Sequence, residues 1–344
     1  MKGKRFGLSD RTAVLLALSL LLAAGLFALL WPHGNFSDAE RRYLSSAPSA
    51  PSLTDWKTDR ETESWLSDRI PFRSVFVGVD ACAEVLTGRR TLLETWPAAG
   101  AFLEQPVNGS VKTTERRLQQ FGALAEKLDA PWQIVVPRTH GWLLRGKMNS
   151  LLGRQYESEN GIYQTLEKDE HFIDALPEGT NAEEVYYRTD HHWNLEGVYR
   201  AYTAICEANG LPAFRGDVLE CAEPKNRIRM ALESGETYDH LIFPERAQTY
   251  DGYAVYLDGN HGLLEITNPE APGGTLLVFK DSFANCLLPL LAADFQRIVA
   301  VDARYYSGSF SEAAAAAGEV DAVLFVYSPD SLVNDTAVAG KAGK

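Results

Sequence analysis

Two short motifs contain the residue types of a serine-dependent hydrolytic or acyl-transfer site. An Asp-His-His-Trp run at 190–193 places Asp190 and His192 two residues apart. A Lys-Asp-Ser-Phe run at 280–283 contains Ser282. A serine nucleophile, a histidine base and an orienting carboxylate recur on unrelated folds and in different chain orders. We therefore predict that Asp190, His192 and Ser282 form a catalytic triad.

The spacing in the first motif predicts its local conformation. In an extended chain, residues i and i+2 lie on the same side, so Asp190 and His192 would face one way and His191 the other. A helix would place the same two residues on different faces. The segment from Leu195 has apolar residues at helical spacing, and Asn194 is a suitable N-cap. We expect the first motif in an extended or loop segment just before a helix.

The second motif lies where an apolar strand turns into a helix. The run 275–279 is mostly apolar, as in buried parallel strands, and Asp281 or Ser282 can cap a helix over 283–293. Pro289 should kink that helix. The N–H groups at a helix start lack intrahelical acceptors. The Ser282 N–H is therefore a candidate donor to the oxyanion of a tetrahedral intermediate.

Two other interpretations of these residues stay open. An isolated Asp-Ser after a strand is often only a helix cap. Adjacent histidines beside an aspartate also fit zinc ligands, but a zinc site needs further ligands. The remaining histidines show no ligand spacing: His33, His140, His171, His240 and His261. We predict no metal and no cofactor.

The elements that must position these motifs have the pattern of an α/β fold. Apolar runs predict parallel strands, and helical spacing predicts helices between them. A stretch near 211–272 contains short β-like segments, such as 253–257, and should form an insertion along one wall of the cleft. The strands are predicted over 132–137, 297–301 and 322–326, and the helices over 113–128 and 310–317.

Polar residues after two of these strands are candidate substrate ligands, because ligands of open α/β sheets bind beyond the carboxyl ends of the strands. Arg138 and His140 follow the 132–137 strand, and Arg304 and Tyr305 follow the 297–301 strand. An arginine there would hold an acyl oxygen or a sugar, and a tyrosine would stack on a sugar ring. Solvated polar residues and packed aromatic residues are the common alternatives.

The amino-terminal region predicts a single-pass membrane anchor. The residues 12–31 carry no charge and are long enough to cross a bilayer as a helix. Basic residues before this run place the amino terminus inside the cell and the remaining chain outside: Lys2, Lys4, Arg5 and Arg11. A cleavable signal peptide is the alternative, but the apolar run is long and no small-x-small site follows it immediately.

We therefore expect a cytoplasmic amino terminus over 1–11, an anchor over 12–31, a tether over 32–53, membrane-proximal helices and a hairpin over 54–110, and an α/β domain over 111–344. The formal net charge of −13 argues against nucleic acid as a partner, since such binding depends on clustered Lys and Arg. Outside the cytoplasm Cys206 and Cys221 would be able to form a disulfide, which the sequence does not decide.

The two motifs together resemble the DHHW family of bacterial proteins, which is similar to the SGNH-hydrolase-like domains of the alginate O-acetylation proteins. The resemblance covers most of the chain beyond the first fifty residues, including the run 68–73. Matched residue by residue, it implies that Asp190, His192 and Ser282 are the triad, on a flavodoxin-like parallel sheet flanked by helices. One position differs: Lys280 stands where many SGNH proteins have glycine.

The resemblance implies an extracytoplasmic O-acetyltransferase that acetylates a cell-surface or exported polysaccharide through an acyl-serine intermediate. It also implies a membrane-bound acyltransferase that supplies the acetyl groups. A carbohydrate esterase with the same triad is the first alternative. The second is a non-catalytic polysaccharide-binding or assembly protein, which the lysine at position 280 would favour.

Overall fold

The structure is a computed structural model that describes residues 8–30, 36–37, 42–47, 56–86, 95–211, 213, 228–248 and 252–343. The chain divides into two compact units, Met1–Arg89 and Arg90–Lys344. The two motifs and all the candidate ligands lie in the second unit.

The described residues of the first unit form three helices and a short hairpin. The helices are α1 Leu8–Leu30, α2 Trp56–Ser67 and α3 Arg73–Leu86, and the hairpin pairs β1 Phe36–Ser37 with β2 Arg42–Tyr43. The Asp68 carboxylate accepts a hydrogen bond from the Ser45 N–H at 2.8 Å, and lies 4.0 Å from the Arg73 guanidinium. Among the residues that the structure describes, no helix is both long enough and apolar enough to cross a bilayer. The anchor over 12–31 therefore stays a prediction.

The second unit is built on an eight-stranded sheet with the order β6-β5-β12-β10-β11-β9-β7-β8. The strands from β6 to β11 in this order are parallel, and β9, β7 and β8 extend the sheet with antiparallel pairs. A separate hairpin is formed by β3 Trp96–Ala98 and β4 Ala101–Leu103. The strands of the sheet are β5 Trp132–Val135, β6 Phe172–Ile173, β7 Arg229–Leu232, β8 Thr237–Tyr238, β9 Leu263–Thr267, β10 Gly273–Lys280, β11 Phe295–Asp302 and β12 Ala322–Val326.

Helices cover both faces of this sheet because the central strand is apolar on both sides. In β10, Leu276 and Val278 pack into one core cluster, while Leu277 and Phe279 pack into another. The helix α9 (Leu195–Ala208) contributes to the first cluster, and α4 (Val111–Leu128) and α11 (Phe310–Ala317) contribute to the second. The predicted α/β fold is thus confirmed. The helices are α4 Val111–Leu128, α5 His140–Leu144, α6 Ser150–Tyr156, α7 Asn160–Leu166, α8 Ala182–Val185, α9 Leu195–Ala208, α10 Leu288–Leu291, α11 Phe310–Ala317, α12 Pro329–Asn334 and α13 Thr336–Lys341.

The stretch predicted as an insertion is partly described, and its strands join the main sheet. The β7–β8 hairpin pairs with β9, and β9 pairs antiparallel with β11. The β-like segment 253–257 is not a strand, since Gly252–Val255 forms a 3-10 helix. Tyr253 and Tyr256 are both buried in the same core cluster, and a spacing of three residues matches one turn of a 3-10 helix. Cys221 lies outside the described residues, and Cys206 is buried beside Asp294.

The helix predicted over 283–293 is divided into two short pieces. A 3-10 helix covers Ser282–Cys286, and α10 begins at Leu288. Pro289 lies in the first turn of α10. Proline has no N–H to donate and its ring clashes with the preceding turn, so one continuous helix cannot pass through this position.

Candidate active site

Asp281 fixes the turn that carries Ser282. Its Oδ1 accepts a hydrogen bond from the Phe283 N–H at 2.9 Å, and its Oδ2 accepts one from the Ser328 N–H at 2.8 Å. Burial alone would raise the pKa of the Asp281 carboxyl, but the Arg304 guanidinium and the hydrogen bonds from Ser328 lower it. An ionised, fully bonded cap therefore holds Ser282 at the carboxyl end of β10, at the start of the 3-10 helix.

The structure brings the three predicted triad residues into one hydrogen-bonded line. The Nδ1 of His192 lies 2.6 Å from Asp190 Oδ1, and its Nε2 lies 2.8 Å from the Ser282 hydroxyl. The His192 ring is buried, whereas the Asp190 side chain is 25% exposed. The Asp190 Oδ1 also accepts from the His192 N–H at 3.0 Å, so the motif lies in a turn of a loop. In this turn the His191 Nδ1 lies 3.5 Å from the same oxygen, so the prediction that His191 faces the other way was wrong.

The loop that carries the acid and the base is anchored at both ends. Tyr186 and Trp193 pair across it as an isolated β-bridge, and the Tyr187 N–H donates to the His192 carbonyl. The helix α9 begins at Leu195, where the Asn194 side chain accepts from the N–H groups of Glu196 and Gly197. The predicted cap is confirmed, and it places the histidine immediately before a buried helix.

The charge of Asp190 is favoured by its two histidine neighbours. Burial would raise the pKa of this carboxyl, but the hydrogen bond from His192 and the nearby His192 and His191 rings outweigh it and hold the pKa well below its usual range. Asp190 is therefore ionised throughout the pH range in which turnover of an ester can be measured. It can orient the imidazole and stabilise the imidazolium that forms during proton transfer.

Aromatic side chains hold the His192 ring in place. The Tyr253 ring stacks on it with centroids 3.7 Å apart and planes 8° apart, and the Phe283 ring lies at 5.0 Å. The Tyr253 hydroxyl is 2.8 Å from Cys286 Sγ, and Trp193 Nε1 donates to the Phe283 carbonyl. Sequence reasoning missed Tyr253, because it reaches the site from a distant segment that was predicted to be a strand.

The contacts of His192 also bear on whether Asp190, His191 and His192 are zinc ligands. Ligand atoms of Asp190, His191 and His192 lie within 4.8 Å of one another, so these residues are able to meet at a metal ion. However, both ring nitrogens of His192 already have partners, namely Asp190 and Ser282. A zinc ion would have to displace one of these bonds. The donor set favours a proton-transfer site over a metal site.

A surface groove begins one residue from Asp190. Its volume is about 750 Å³, and it is lined by the β3–β4 hairpin together with Arg188 and Thr189. The Phe102 N–H donates to the Arg188 carbonyl at 2.8 Å, and Arg188 Nε donates to the Gly100 carbonyl. The hairpin is thus fixed to the triad loop, and Phe102 presents a partly exposed aromatic ring beside the site.

Comparison with solved structures identifies the fold. A DHHW family protein from Eubacterium siraeum superposes with a TM-score of 0.55 at 19% sequence identity, over 72% of this chain and 94% of that protein. Bacillus cereus PatB1 gives a TM-score of 0.57 at 20% identity, over 71% of this chain and 98% of its own. A PatB1 structure with a sulfonyl adduct gives 0.56 at 22% identity, over 71% and 96%. The chain has the fold of a DHHW family protein.

The resemblance predicted from the two motifs is thereby confirmed at the level of the fold. No protein-family model matches the sequence, and no curated protein matches it in a sequence search. The likeness is therefore one of three-dimensional structure. The roles of individual residues in this DHHW fold depend on the contacts that each side chain makes.

Arg304 and Tyr305 lie where the sequence predicted, just beyond the end of β11. Arg304 Nε and Nη2 both donate to the buried Asp302 carboxylate, at 2.9 and 2.6 Å. Burial would lower the pKa of the Arg304 guanidinium, but the hydrogen bonds and the charge of Asp302 raise it. Tyr305 is 56% exposed, and the Arg304 guanidinium lies 5.4 Å from its ring centroid. Tyr305 is thus exposed and Arg304 partly exposed, and a role of either residue in substrate binding stays a prediction.

Arg138 and His140 lie at the end of β5 as predicted, but neither side chain is open to solvent. The Arg138 guanidinium is 1% exposed, pairs with Asp174 and Glu167, and donates to the Leu176 carbonyl. The buried His140 ring stacks on Tyr186 at 4.9 Å, and burial lowers its pKa to about 4. These contacts favour structural roles over the substrate binding that we predicted for these residues.

The buried carboxyl of Glu159, which is bonded to Thr139 just beyond β5, should make the stability of the fold depend on pH. Glu159 is fully buried and accepts hydrogen bonds from the Val107 N–H, the Thr139 hydroxyl and the Tyr163 hydroxyl. Burial raises the pKa of its carboxyl to about 8, and the hydrogen bonds only partly offset this effect. The folded protein thus retains a proton that the unfolded chain releases near pH 4.3. The contribution of this proton to the free energy of unfolding is fully present below about pH 4.3 and is lost as pH rises towards 8.

We therefore expect Glu159→Gln, which cannot ionise, to gain stability relative to the wild type as pH rises. The difference in Tm between variant and wild type should increase by about 10 °C between pH 5 and pH 9. Differential scanning calorimetry at several pH values measures it, with the exposed Glu157→Gln as the control. A difference in Tm that stays constant with pH would show that Glu159 is ionised in the folded protein.

Proposed function

We propose that the protein is a serine-dependent acyl-transfer enzyme with Ser282 as its nucleophile. The observation that carries this proposal is the continuous line from Asp190 through His192 to the Ser282 hydroxyl, with distances of 2.6 and 2.8 Å. Both distances lie in the normal hydrogen-bond range, so the base already contacts the proton that it must remove. PatB1, which has the same fold, has been solved with a sulfonyl adduct. Sulfonyl reagents modify activated nucleophiles, so this adduct supports the proposal.

The chemical steps follow from the positions of the three side chains. The Ser282 oxygen attacks the carbonyl carbon of an acetyl ester, and His192 Nε2 accepts the hydroxyl proton. Collapse of the tetrahedral intermediate breaks the ester bond, and His192 returns the proton to the departing alcohol. An acceptor hydroxyl then attacks acetyl-Ser282 and gives its proton to His192. That proton passes to the Ser282 oxygen as the new ester leaves.

We propose a polysaccharide hydroxyl as the acetyl acceptor. The Asp-His-His-Trp and Asp-Ser motifs resemble those of the alginate O-acetylation proteins, which supports this substrate class. The groove beside Thr189 is large enough for sugar residues and presents the Phe102 ring, on which a sugar can stack. Just beyond the end of β11, Arg304 and Tyr305 offer a partly exposed guanidinium and an exposed ring to the acceptor or to an acyl oxygen.

The proposal extends to the location of the protein and the source of its acetyl groups. Basic residues before the uncharged run 12–31 support a single-pass anchor with the α/β unit outside the cytoplasm. An enzyme on that side of a bacterial membrane has no direct access to cytoplasmic acetyl donors. We therefore propose a membrane-bound acyltransferase as the partner that delivers acetyl groups to Ser282.

An acceptor-dependence assay separates a transferase from an esterase that uses the same triad. The full-length protein is incubated with an activated acetyl ester, with and without a polysaccharide fragment as acceptor. We expect acetylated oligosaccharide as the main product, and an increase in ester consumption as the acceptor concentration rises. Release of acetate alone, at a rate that does not respond to the acceptor, would identify the protein as an esterase instead.

A further inference from the structure

The proposed reaction places a positive charge on a buried ring, and the following inference rests on that reaction. When Ser282 attacks the ester, His192 takes its proton and becomes an imidazolium. The His192 side chain is only 2% exposed, so water contributes little to the stabilisation of this charge. Asp190 stabilises the charge from the Nδ1 edge of the ring, at 2.6 Å. The faces of the ring can contribute as well, through the side chains that contact them.

Tyr253 lies flat against one face of the His192 ring. The two ring centroids are 3.7 Å apart and the ring planes differ by 8°, so the rings are parallel and in contact. The Phe283 ring lies at 5.0 Å with its plane tilted by 47°, so it contacts the imidazole less closely. The imidazole therefore lies over the face of the phenol ring, which carries the negative part of the ring quadrupole.

This stack stabilises the charged form of the base more than the neutral form. The face of an aromatic ring attracts a cation, and the attraction is stronger where both partners are shielded from water. Tyr253 is 7% exposed, so both rings meet this condition. The resting enzyme has a neutral imidazole and the transition state has an imidazolium. An interaction that is stronger in the transition state than in the ground state raises kcat.

The phenol hydroxyl fixes the Tyr253 ring to the segment that carries the nucleophile. The hydroxyl oxygen lies 2.8 Å from Cys286 Sγ and donates to the Phe283 carbonyl at 3.5 Å. Both partners belong to the 3-10 helix that begins at Ser282. Trp193, the residue after the base, donates to the same Phe283 carbonyl at 2.9 Å. The nucleophile, the base and the stacked ring are thus held together by one set of contacts.

The backbone that follows Tyr253 is also held in place. The Phe243 N–H donates to the Val255 carbonyl at 2.8 Å, and the Leu257 N–H donates to the Leu241 carbonyl at 2.9 Å. These bonds and the contacts of the hydroxyl limit the movement of the ring. The ring is therefore in position before the charge forms, and the enzyme spends no free energy to reorganise it during the reaction.

The contact between Tyr253 and Cys286 adds no charge of its own. Burial raises the pKa of the Tyr253 hydroxyl well above its usual value. Burial also raises the pKa of the Cys286 thiol to about 12. Both groups therefore stay protonated and neutral where turnover of an ester can be measured. The interaction of Tyr253 with the imidazolium is thus that of a neutral aromatic ring and not that of a phenolate.

We propose that Tyr253 is a positioning residue that stabilises the His192 imidazolium through the face of its ring and thereby raises kcat. The ring itself produces the effect on the base. The hydroxyl, with Cys286 and the Phe283 carbonyl, holds the ring in place.

The test varies the charge distribution of the ring while its shape is nearly kept. In the full-length protein, Tyr253 is replaced by phenylalanine and by phenylalanine with one, two or three ring fluorines. Fluorine withdraws electron density, so each one weakens the attraction of the ring for a cation. We expect kcat for hydrolysis of p-nitrophenyl acetate to fall by about twofold with each fluorine, while KM and Tm stay constant. A purely structural role of the ring would not produce this trend.

Two standard substitutions separate the ring from the hydroxyl. Tyr253→Leu, which removes the ring, should lower kcat by about 30-fold. Tyr253→Phe, which keeps the ring, should retain kcat to within about threefold of the wild type. The matched control is Tyr238→Leu, because Tyr238 also lies beside a histidine, His240, with ring centroids 5.9 Å apart. This pair lies outside the triad, so kcat of the control should equal that of the wild type.

Several results would overturn the inference. A kcat that does not change with the number of fluorines would show that the ring acts by packing alone, even if Tyr253→Leu proves unstable. Equal losses in Tyr253→Phe and Tyr253→Leu would assign the effect to the hydroxyl, and a similar loss in Tyr238→Leu would show that it is not specific. These results leave the proposed function intact if Ser282→Ala is inactive. Retained hydrolysis by Ser282→Ala would instead overturn the proposed function itself.

Discussion

Replacing Ser282 by alanine should lower turnover of an acetyl ester by about 10⁴-fold or more. The residual rate would depend only on substrate binding and on hydrogen-bond donors to the oxyanion. The expected loss is large because the hydroxyl is the atom that forms the new bond. His192 and Asp190 would still be paired in the variant, but they would have no proton to remove. Because the three triad residues act as a unit, removal of any one of them abolishes most of the rate enhancement.

The fold should tolerate this change, which makes the result interpretable. The Ser282 side chain does not cap the turn, since Asp281 accepts the hydrogen bonds from Phe283 and Ser328. Tm should therefore stay within a few degrees of the wild-type value. The control is Ser234→Ala, at an exposed turn serine, which should keep full activity. Turnover by Ser282→Ala at a rate comparable to the wild type would contradict its assignment as the nucleophile.

Replacing Asp190 by asparagine should lower kcat by about 10⁴-fold while the site keeps its shape. Asparagine has the size of aspartate, but its NH₂ group can donate to His192 Nδ1. The imidazole would then carry its proton on Nε2 and would be unable to accept the proton of Ser282. The amide would also fail to stabilise the imidazolium that the carboxylate now supports.

The chain offers a matched control for this substitution. On the surface, Asp239 Oδ1 lies 3.1 Å from His240 Nδ1, so these residues form an aspartate–histidine pair outside the triad. Asp239→Asn should leave kcat unchanged. Steady-state kinetics of both variants measure the difference, and equal kcat values for Asp190→Asn and the wild type would show that the carboxylate does not orient the base.

The local parts of this site could be predicted from the sequence because short-range rules determine them. The i, i+2 spacing predicted that Asp190 and His192 lie close together in a loop, and Asn194 marked the start of α9. The expected outward direction of His191 was wrong, because the segment is a run of bends that brings its ring beside Asp190 as well. The apolar run before Ser282 predicted a buried strand that ends at a cap, and Asp281 provides that cap. Each of these features depends on residues within a few positions of one another.

The parts that could not be predicted depend on contacts between distant segments. Tyr253 stacks on His192 and lies in a segment whose sequence pattern is typical of a strand. That pattern reflects the burial of its tyrosines by the tertiary fold, while the backbone forms a 3-10 helix. Arg138 had the sequence position of a ligand, but Asp174 and Glu167 enclose it, and neither partner is recognisable from the sequence. Lys280 donates to Asn285, and Asn285 donates to Asn260, which lies 25 residues earlier in the chain, so only the structure brings these side chains together.

The most direct measurement of the central claim is the intact mass of the full-length protein after a brief reaction with an activated acetyl ester. We predict an adduct of one acetyl group on the wild type, which peptide mapping locates at Ser282 and which is absent from Ser282→Ala. An acetyl group on another residue, or an unmodified wild type that still turns over the ester, would contradict an acyl-serine intermediate at this site.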